Sequence, residues 1–395
     1  MIVADVIKVY IKKPLDGYFV LGQSALDEGL LGDGTDYENI AVQAEALSLS
    51  LDYGNDFITA FNSSPRAGTA VITFESETLD PSVTTWVRPR AEIWVEASST
   101  KLYKGVITDI GVTYTRNDKP IVTIQVADVV AILANKVTTL DLPAENAFTR
   151  LGRFSGDGVT ITKRGSYDLV NLLGLAAGYS YLDIINMALQ SEGGLGAVDN
   201  NGVLKCYGQD YLTDTAVAAT FTDIPADINH AANVLSYTNI QAGYSTKALC
   251  NVLSINNIDV LAGAEVSTEY GPFTNNTSAE VWGPTKVDLT MNYAGGFGTS
   301  QRSGTLDAIG AAIVAQDSNT TPQVRISSVE YDVDVNDSAH LTIAKTLTTF
   351  SKVDVKYHTE TNAIEATHII IGVRHDISPT RWRVTYDLMQ LEELI

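Results

Sequence analysis

The sequence is poor in the residues that build metal centres and disulfide frameworks, and it has no long apolar run. Its two cysteines, Cys206 and Cys250, belong to no CxxC motif, so no thiolate metal site is encoded. We expect both to be buried free thiols. No apolar run reaches the roughly 18 residues that a membrane-spanning helix needs. The first residues, MIVADVIKVY, lack the regions of a signal peptide, so we expect a chain made in a cytoplasm with no membrane anchor.

Positive charge is scarce. The chain has 26 lysines and arginines against 47 aspartates and glutamates, a formal net charge of −21. Such a surface repels phosphate groups and anionic lipid, which disfavours ordinary binding to nucleic acids and membrane surfaces. Hydrophobic residues make up 45% of the chain, enough for a substantial core. The length is typical of roughly two to four domains.

Catalytic motifs are also lacking. The sequence contains no HExxH, GxSxG or P-loop motif. The best acid–base pair is His375 beside Asp376, but the alternation of the strand places His375 on the same face as Val373 and Ile377. This position favours a core histidine over a catalytic base. We therefore predict a protein that is not an enzyme, with no catalytic residue, no cofactor and no metal site.

The dominant pattern is alternation of apolar and polar residues with a period of two, which is typical of half-buried antiparallel strands. Clear examples are LSLSL, VTIQV and RWRVTYDL. Helices are few, and we predict them over residues 127–135, 180–194 and 305–316. The sequence therefore predicts a mainly β fold with small α+β insertions.

One short frame occurs twice, about 270 residues apart, too far for a solenoid repeat. GVITDI and GVRHDI agree at four of six positions, and each follows a strand and a polar turn and precedes another turn and strand. We expect Gly105 to superpose on Gly372, and Asp109 on Asp376, in two similar β domains. The alternative is two unrelated β-meanders that share common residues. The residues of the repeated frame are Gly105, Val106, Asp109, Ile110, Gly372, Val373, Asp376 and Ile377.

Changes of pattern along the chain predict four segments. Residues 1–138 form a first β domain, and residues 139–236 form a mixed α/β middle domain. Residues 237–264 and 321–395 form a second β domain. The polar, glycine-rich residues 265–320 are predicted to be an insert.

Several stretches, in order, resemble phage tail hub proteins, also called minor tail or baseplate hub proteins. They are AGTAVITFESETLDP, VRPRAEIWVE, KLYKGVITDIGVTY, LDIINMALQSEGGLGAVDNNGVLKCYGQD and IIIGVRHDISPTRWRVTYDL. The motifs are loose strand patterns. Arg90 stands where that family commonly has glycine, and residues 265–320 match nothing in it.

The resemblance implies two tail-tube-like antiparallel β-barrel domains plus two smaller domains. It also implies a homotrimer whose six tube-like domains form a pseudo-hexameric ring. Such a ring adapts a six-fold tail tube to a three-fold tip and lines the channel for DNA ejection. The implied partners are distal tail or tail-tube ring proteins, the tape measure protein and tip or fibre proteins. The implied location is the virion tail tip, after assembly in the bacterial host cytoplasm.

The resemblance implies a channel through which DNA passes transiently without being held. An acidic excess fits such a channel, because acidic linings repel phosphates at short range. We predict that acidic residues on the outward positions of the repeated strands face this channel. The alternative is ordinary solubility charge spread over the exterior. The candidate channel acids are Glu92, Glu96, Asp109 and Asp354.

A second function is left open by the insert, whose aromatic residues would suit a receptor- or carbohydrate-binding β protein if loops exposed them. These residues are Tyr270, Phe273, Trp282 and Tyr293.

Overall fold

A computed structural model gives the fold. It describes residues 6–14, 35–42, 44–57, 63–116, 118–155, 161–164, 171–207, 215–224, 233–243, 249–261, 264–295, 302–315, 325–358 and 363–390.

Strands dominate the described part of the chain. They are β1 (Ile7–Pro14), β2 (Thr35–Asn39), β3 (Glu45–Phe57), β4 (Ser63–Glu75), β5 (Glu92–Ala97), β6 (Thr100–Thr113), β7 (Ile121–Ala127), β8 (Glu145–Asn146), β9 (Ile161–Arg164), β10 (Asn171–Leu172), β11 (Leu195–Val198), β12 (Leu204–Tyr207), β13 (Val217–Thr222), β14 (Val234–Ser236), β15 (Asn239–Gly243), β16 (Val252–Leu261), β17 (Ala264–Thr274), β18 (Lys286–Met291), β19 (Tyr293–Gly295), β20 (Arg325–Asp332), β21 (Lys352–His358), β22 (Ala363–Ile377) and β23 (Trp382–Gln390).

Six α-helices and one short 3₁₀ helix, Ile40–Val42, occur among the described residues. The α-helices are α1 (Val129–Asn135), α2 (Ala147–Gly152), α3 (Tyr181–Glu192), α4 (Asn276–Trp282), α5 (Arg302–Val314) and α6 (Ser338–Thr346). None of these described helices is long and apolar enough to cross a membrane.

The helix predictions follow from capping chemistry. The Ser180 side chain accepts a hydrogen bond from the Asp183 amide at the start of α3, and Gly193 ends the helix in the left-handed conformation. At the start of α1, Asp128 accepts a hydrogen bond from the Val130 amide. The three predicted helices over 127–135, 180–194 and 305–316 are therefore present as α1, α3 and α5.

One mixed sheet contains 14 of the 23 described strands, which confirms the mainly β prediction. Its main path runs β14-β13-β21-β22-β3-β4-β7-β6-β5-β1-β2, and a branch runs from β22 through β23 and β20 to β15. A single apolar cluster lies under this sheet and contains residues from both ends of the chain, including Leu51, Ile107, Val373 and Trp382. The pairings of the described strands do not close into a barrel. The two tail-tube-like barrels therefore remain a prediction.

Three small sheets carry the rest, and their pairings differ in part from the predicted segments. Strand β16, which we placed with the second β domain, pairs with β17 and β18 of the insert. The reason is packing, since Leu253 and Ile255 share an apolar cluster with Leu289 and Leu306. Strand β13, which we placed in the middle domain together with β14, pairs with β14 on one edge and with β21 of the large sheet on the other. The four-segment division stays a proposal.

Both cysteines are buried and neither is in a disulfide, as the sequence predicted. Cys206 belongs to the apolar cluster around α3, and Cys250 belongs to the cluster of the insert. Burial raises the pKa of the Cys250 thiol to about 11, which keeps that thiol protonated at neutral pH.

A buried polar network joins the middle segment to the insert. The Arg150 side chain is fully buried, and its Nε lies 2.6 Å from Glu145 Oε1. Its other nitrogens donate to the carbonyl oxygens of Pro143 and Leu173 and to Asn292 Oδ1. Asn292 Nδ2 in turn donates to the carbonyl oxygen of Ile258, at 2.7 Å. Each of these polar groups forms hydrogen bonds with others that water cannot reach. The network therefore fixes the insert against α2 and α3.

We predict that Arg150→Met destabilises the protein by about 3–5 kcal/mol, because it leaves a buried carboxylate and several buried carbonyls without this donor. The matched control is Arg153→Met. Arg153 contacts the same Glu145 carboxylate at 2.7 Å, but 43% of its side chain is exposed. Its loss should cost about 1 kcal/mol or less. Urea denaturation of both variants measures the difference, and equal costs would contradict the role given to Arg150.

Candidate assembly interface

The two ends of the chain meet where β3 pairs antiparallel with the second half of β22. The register runs from Gly372 opposite Gly54 to Ile377 opposite Leu49. The first half of β22 pairs with β21 instead, and the other edge of β22 pairs with β23. This joint makes one continuous sheet from strands that are more than 300 residues apart in sequence.

Glycine is required on the β3 side of this joint. A Cβ atom placed on Gly54 would lie 2.5 Å from the carbonyl oxygen of Ile371 and 2.8 Å from the Cα of Gly372. A Cβ on Gly372 would lie 2.8 Å from the Asp387 carboxylate. The two distances from Gly54 are to backbone atoms and are too short for a real side chain, so the close approach of β3 and β22 depends on glycine at position 54.

Under the joint, His375 is buried in a group of aromatic side chains. Its Nδ1 accepts a hydrogen bond from Trp382 Nε1 at 3.2 Å, which places the imidazole proton on Nε2, 3.5 Å from the Tyr53 hydroxyl. Burial lowers the pKa of His375 to about 3, so the ring is neutral near pH 7. The structure therefore places His375 in the core, as the alternation predicted.

The outer face of the joint carries charged pairs between the two ends of the chain. Asp52 lies 2.6 Å from Arg66 on β4 and 3.6 Å from Arg374 on β22. The Ser50 hydroxyl donates to Asp376 Oδ1 at 2.9 Å. These groups are partly exposed and each contributes little to stability, but they favour the correct register.

The order of strands is repeated on the two sides of the joint. In the first copy, neighbouring strands run β5-β6-β7-β4-β3, and in the second they run β21-β22-β23-β20-β15. All of these pairings are antiparallel in both copies. The order along the chain also matches, since β3, β4, β5, β6 and β7 correspond to β15, β20, β21, β22 and β23. The repeated frame lies in the second strand of this order in both copies, β6 and β22.

Details of the backbone fix the alignment of the two copies. The Arg90 amide donates to the carbonyl of Ile107, and the Phe350 amide donates to the carbonyl of Ile370, each at 2.7 Å. Arg90 and Phe350 both have a positive φ, of 70° and 68°. A register shift follows directly in each copy, between Ile107 and Asp109 and between Ile370 and Gly372.

This alignment differs from the one that the frame predicted. The register equates Asp109 with Gly372, and Thr113 with Asp376, so the two copies of the frame lie four residues out of step. The bulge also changes which residues face the core, because Ile107 is buried while Val106 is only half-buried. The reason is that hydrogen bonding and burial set a register, and letters shared between two strands do not.

The alignment reveals two open edges. In the second copy, Gly372–Ile377 of β22 is covered by β3, but the corresponding stretch Asp109–Tyr114, which contains the end of β6, pairs on that side with no described strand. Strand β15, which corresponds to part of β3, pairs among the described strands with β20 alone and is largely exposed. The pairing of β3 with β22 is thus a filled joint. At the equivalent positions, β6 and β15 each have one edge without a described partner strand, and these two edges are the halves of an unfilled joint.

The four predicted channel acids lie outside the apolar core in varied surroundings. Glu92 accepts from Lys104 Nζ at 3.0 Å and from the Tyr37 hydroxyl at 3.1 Å. Burial alone would raise the pKa of Glu92, but these partners more than offset it and leave the pKa below its usual value. Glu96 lies in register between Lys8 and Lys101.

The other two acids are far apart in the sheet. Asp109 is exposed on the open edge of β6, opposite Gln125. Asp354 Oδ1 on β21 accepts from the Thr367 hydroxyl at 2.7 Å. Glu92 and Glu96 are thus close to lysines, while Asp109 and Asp354 are not paired with cations in the described contacts. That the four face a channel remains a proposal.

The aromatic residues of the insert do not form an exposed surface. Tyr293 is buried, and Tyr270 and Phe273 pack against the apolar cluster of the insert. Trp282 is half-buried at the end of α4. The exposed aromatic loops on which a receptor- or carbohydrate-binding function would depend are therefore not present at these positions.

We predict that Gly54→Ala destabilises the protein by about 2 kcal/mol, because the added methyl group forces β3 and β22 apart. The control is Gly111→Ala, since a Cβ on Gly111 meets no atom within 4 Å. That change should be neutral or slightly stabilising. Thermal unfolding compares the two variants, and a tolerated alanine at Gly54 would contradict the close approach.

We predict that His375 makes stability fall as the pH falls from about 6.5 towards 3. The unfolded chain binds a proton at this residue below pH 6.5, whereas the buried ring does not, so protonation favours unfolding. The loss should be about 2 kcal/mol between pH 6.5 and pH 5. Asp128, whose burial raises its pKa to about 6, acts in the opposite direction, because the native state then binds the extra proton.

The measurement therefore compares the parent with His375→Leu. The variant should be less stable at pH 7, since Trp382 Nε1 loses its acceptor, and the difference should shrink as the pH falls. A difference that is constant with pH would show that His375 does not titrate as described.

Two crystal structures have a similar fold over nearly the whole chain. The 43 kDa tail protein of prophage MuSo2 from Shewanella oneidensis has a TM-score of 0.56 at 10% identity, covering 98% of this chain and 100% of that one. The tail protein from Neisseria meningitidis MC58 has a TM-score of 0.57 at 9% identity, covering 98% and 99%. No family model matches the sequence, and no curated protein matches it either. The chain therefore has the fold of phage tail proteins, as the resemblance in its sequence predicted.

Proposed function

We propose that this protein is the structural hub of a phage tail tip. Three copies form a pseudo-hexameric ring, which adapts a six-fold tail tube to a three-fold tip and surrounds the channel for DNA ejection. The similarity to tail proteins supports a tail role, and the repeated strand order supports the ring.

The proposal rests on one observation. The filled joint between β3 and β22 has an unfilled equivalent, the open edges of β6 and β15. Within one chain, β3 of the first copy pairs with β22 of the second. The equivalent contact joins β15 of one chain to β6 of the next. Open strand edges of this kind are templates for pairing with another chain. Alternation of the two joints closes a ring in which each chain supplies two similar units, and three chains supply six.

The ring offers contacts to the other proteins of a tail. Distal tail or tail-tube ring proteins would bind its six-fold side, and tip or fibre proteins would bind its three-fold side. The tape measure protein and then DNA would pass through it. The net charge of −21 per chain supports a lining that does not retain DNA, with Asp109 and Asp354 as the contributors least offset by nearby cations.

A disulfide across the unfilled joint tests the ring. Asp376 and Ser50 are opposite each other in the filled joint, and their equivalents are Thr113 and Gln241. Side chains at directly opposed positions have Cβ atoms about 5 Å apart, close to disulfide geometry. We predict that Thr113→Cys combined with Gln241→Cys gives disulfide-linked chains under oxidising conditions, in purified tails and in the concentrated protein.

The resulting ladder on a denaturing gel should end at three chains, because a closed trimer leaves no free pair. The control pairs Gln241→Cys with Gln125→Cys, which is exposed on β7 in the interior of the sheet. It should give no ladder. Absence of linked chains in purified tails, or a ladder that continues to six chains, would contradict the trimer.

A further inference from the structure

A groove with positive charge lies beside the open edge of β6. It has a volume of about 600 Å³ and is lined by Lys12, Lys13, Arg88, Pro89, Arg90, Ala91, Glu92 and Val106. Four of these side chains are cations and one is an anion. Even if Glu38, which pairs with Lys13 at 2.7 Å, is counted as a second anion, the groove has a net charge of +2. This is unusual in a chain whose net charge is −21.

Arg90 occupies this groove at a conformational cost. Its φ of 70° is in the left-handed region, which disfavours a residue with a side chain by about 1 kcal/mol relative to glycine. Arg88 and Arg90 are both exposed, and neither has a carboxylate partner among the described ion pairs. A charged side chain at a position suited to glycine, without an ion pair to hold it, points to a role in binding.

The equivalent position in the second copy is covered. Phe350 corresponds to Arg90, and its ring lies 5.6 Å from that of Tyr207, edge to face. Leu195 and Ala197 of the β11–β12 hairpin complete this apolar cluster. The two copies therefore differ in their covering. Residues of the same chain cover the apolar Phe350, whereas the cationic groove at Arg90 is open.

The proposed ring determines which segment comes next to the groove. In the filled joint, β3 runs along β22 towards Phe350. A neighbouring chain's β15, placed in the same way on β6, would run towards Arg90. Strand β15 is followed in sequence by the insert, whose sheet begins with β16. In the ring, the insert of a neighbouring copy would thus lie next to the groove.

The charge of the insert is complementary to that of the groove. With β16 included because it pairs with β17 and β18, the described insert extends over residues 252–315, which contain six acids and two bases, a formal charge of −4. Its strand β17 is exposed along most of its length. The acids are Asp259, Glu265, Glu269, Glu280, Asp288 and Asp307, and the bases are Lys286 and Arg302.

We propose that the groove formed by Lys12, Lys13, Arg88 and Arg90 binds the acidic insert of a neighbouring copy. This proposal rests on the ring described above. The interaction would be electrostatic, and it would select the correct neighbour and speed assembly more than it adds to affinity.

The test measures ring assembly of the full-length protein by analytical ultracentrifugation at low and at high salt. Arg88→Glu should weaken association at low salt by roughly three- to ten-fold, the range expected for an exposed ion pair replaced by repulsion. The effect should shrink at high salt, because salt screens exposed charges. The control Lys345→Glu makes the same change of charge on α6, whose residues do not line the groove, and should have little effect.

Arg90→Gly separates binding from folding. Glycine removes the charge and relieves the left-handed strain at once, so the thermal stability of the single chain should stay near that of the parent or rise. Assembly should nevertheless weaken. A loss of assembly that comes with a loss of stability would assign Arg90 to folding instead and would contradict the proposal.

Zero-length coupling of lysine to carboxylate identifies the occupant. A mixture of isotopically labelled and unlabelled protein should give peptides that link Lys12 or Lys13 to acids of residues 252–315 between different chains. Absence of any link between these lysines and the insert of a different chain, with only links such as the Lys13–Glu38 one expected from their 2.7 Å contact within a chain, would overturn the proposal. So would retention of single-stranded DNA by the parent but not by Arg88→Glu, because the groove would then bind nucleic acid.

The outcomes separate this inference from the ring itself. If the Thr113→Cys and Gln241→Cys pair still links three chains but the groove variants assemble like the parent, the ring stands and the groove proposal fails. If the cysteine pair links no chains, both fail together.

Discussion

The close approach of β3 to β22 is the constraint on which the rest of the fold depends. Gly54 faces Gly372 there, and a side chain on Gly54 would collide with the backbone of β22. Because the strands can approach, their hydrogen bonds continue one sheet across both copies, and a single apolar cluster can form beneath it. The neutral His375 lies under the same contact and is held by Trp382 and Tyr53.

Much of the fold could be predicted from local patterns. Period-two alternation identified strands such as β7 and β23, and capping residues such as Ser180 identified the helices, because burial and backbone hydrogen bonding act over a few neighbouring residues. Alternation could not assign β16 to its sheet, because a strand has the same pattern of apolar and polar residues whichever sheet it belongs to. The register of the repeat was hidden for a related reason, because the bulges at Thr108 and Ile371 are set by partner strands.

The candidate interface was harder to predict because it consists of backbone edges and not of a motif. An unpaired edge such as Asp109–Tyr114 has no sequence signature, and it becomes visible only when its equivalent in β22 is seen covered by β3. The one local signal was Arg90, which departs from the glycine common in the resembling family. In the structure Arg90 has a positive φ and lies at the mouth of the cationic groove, which connects the departure from glycine with that groove.

The position of the insert in the strand order has a consequence for how proteins of this fold can vary. The insert connects β15 to β20, which are neighbours in the sheet, just as β3 and β4 are neighbours joined through residues 58–62. Its two ends therefore leave the sheet side by side, as in a hairpin turn. A connection of this kind can lengthen or shorten at small entropic cost while the strand order is unchanged. Related chains could thus differ greatly in size and surface at this one point and still present the same edges for assembly.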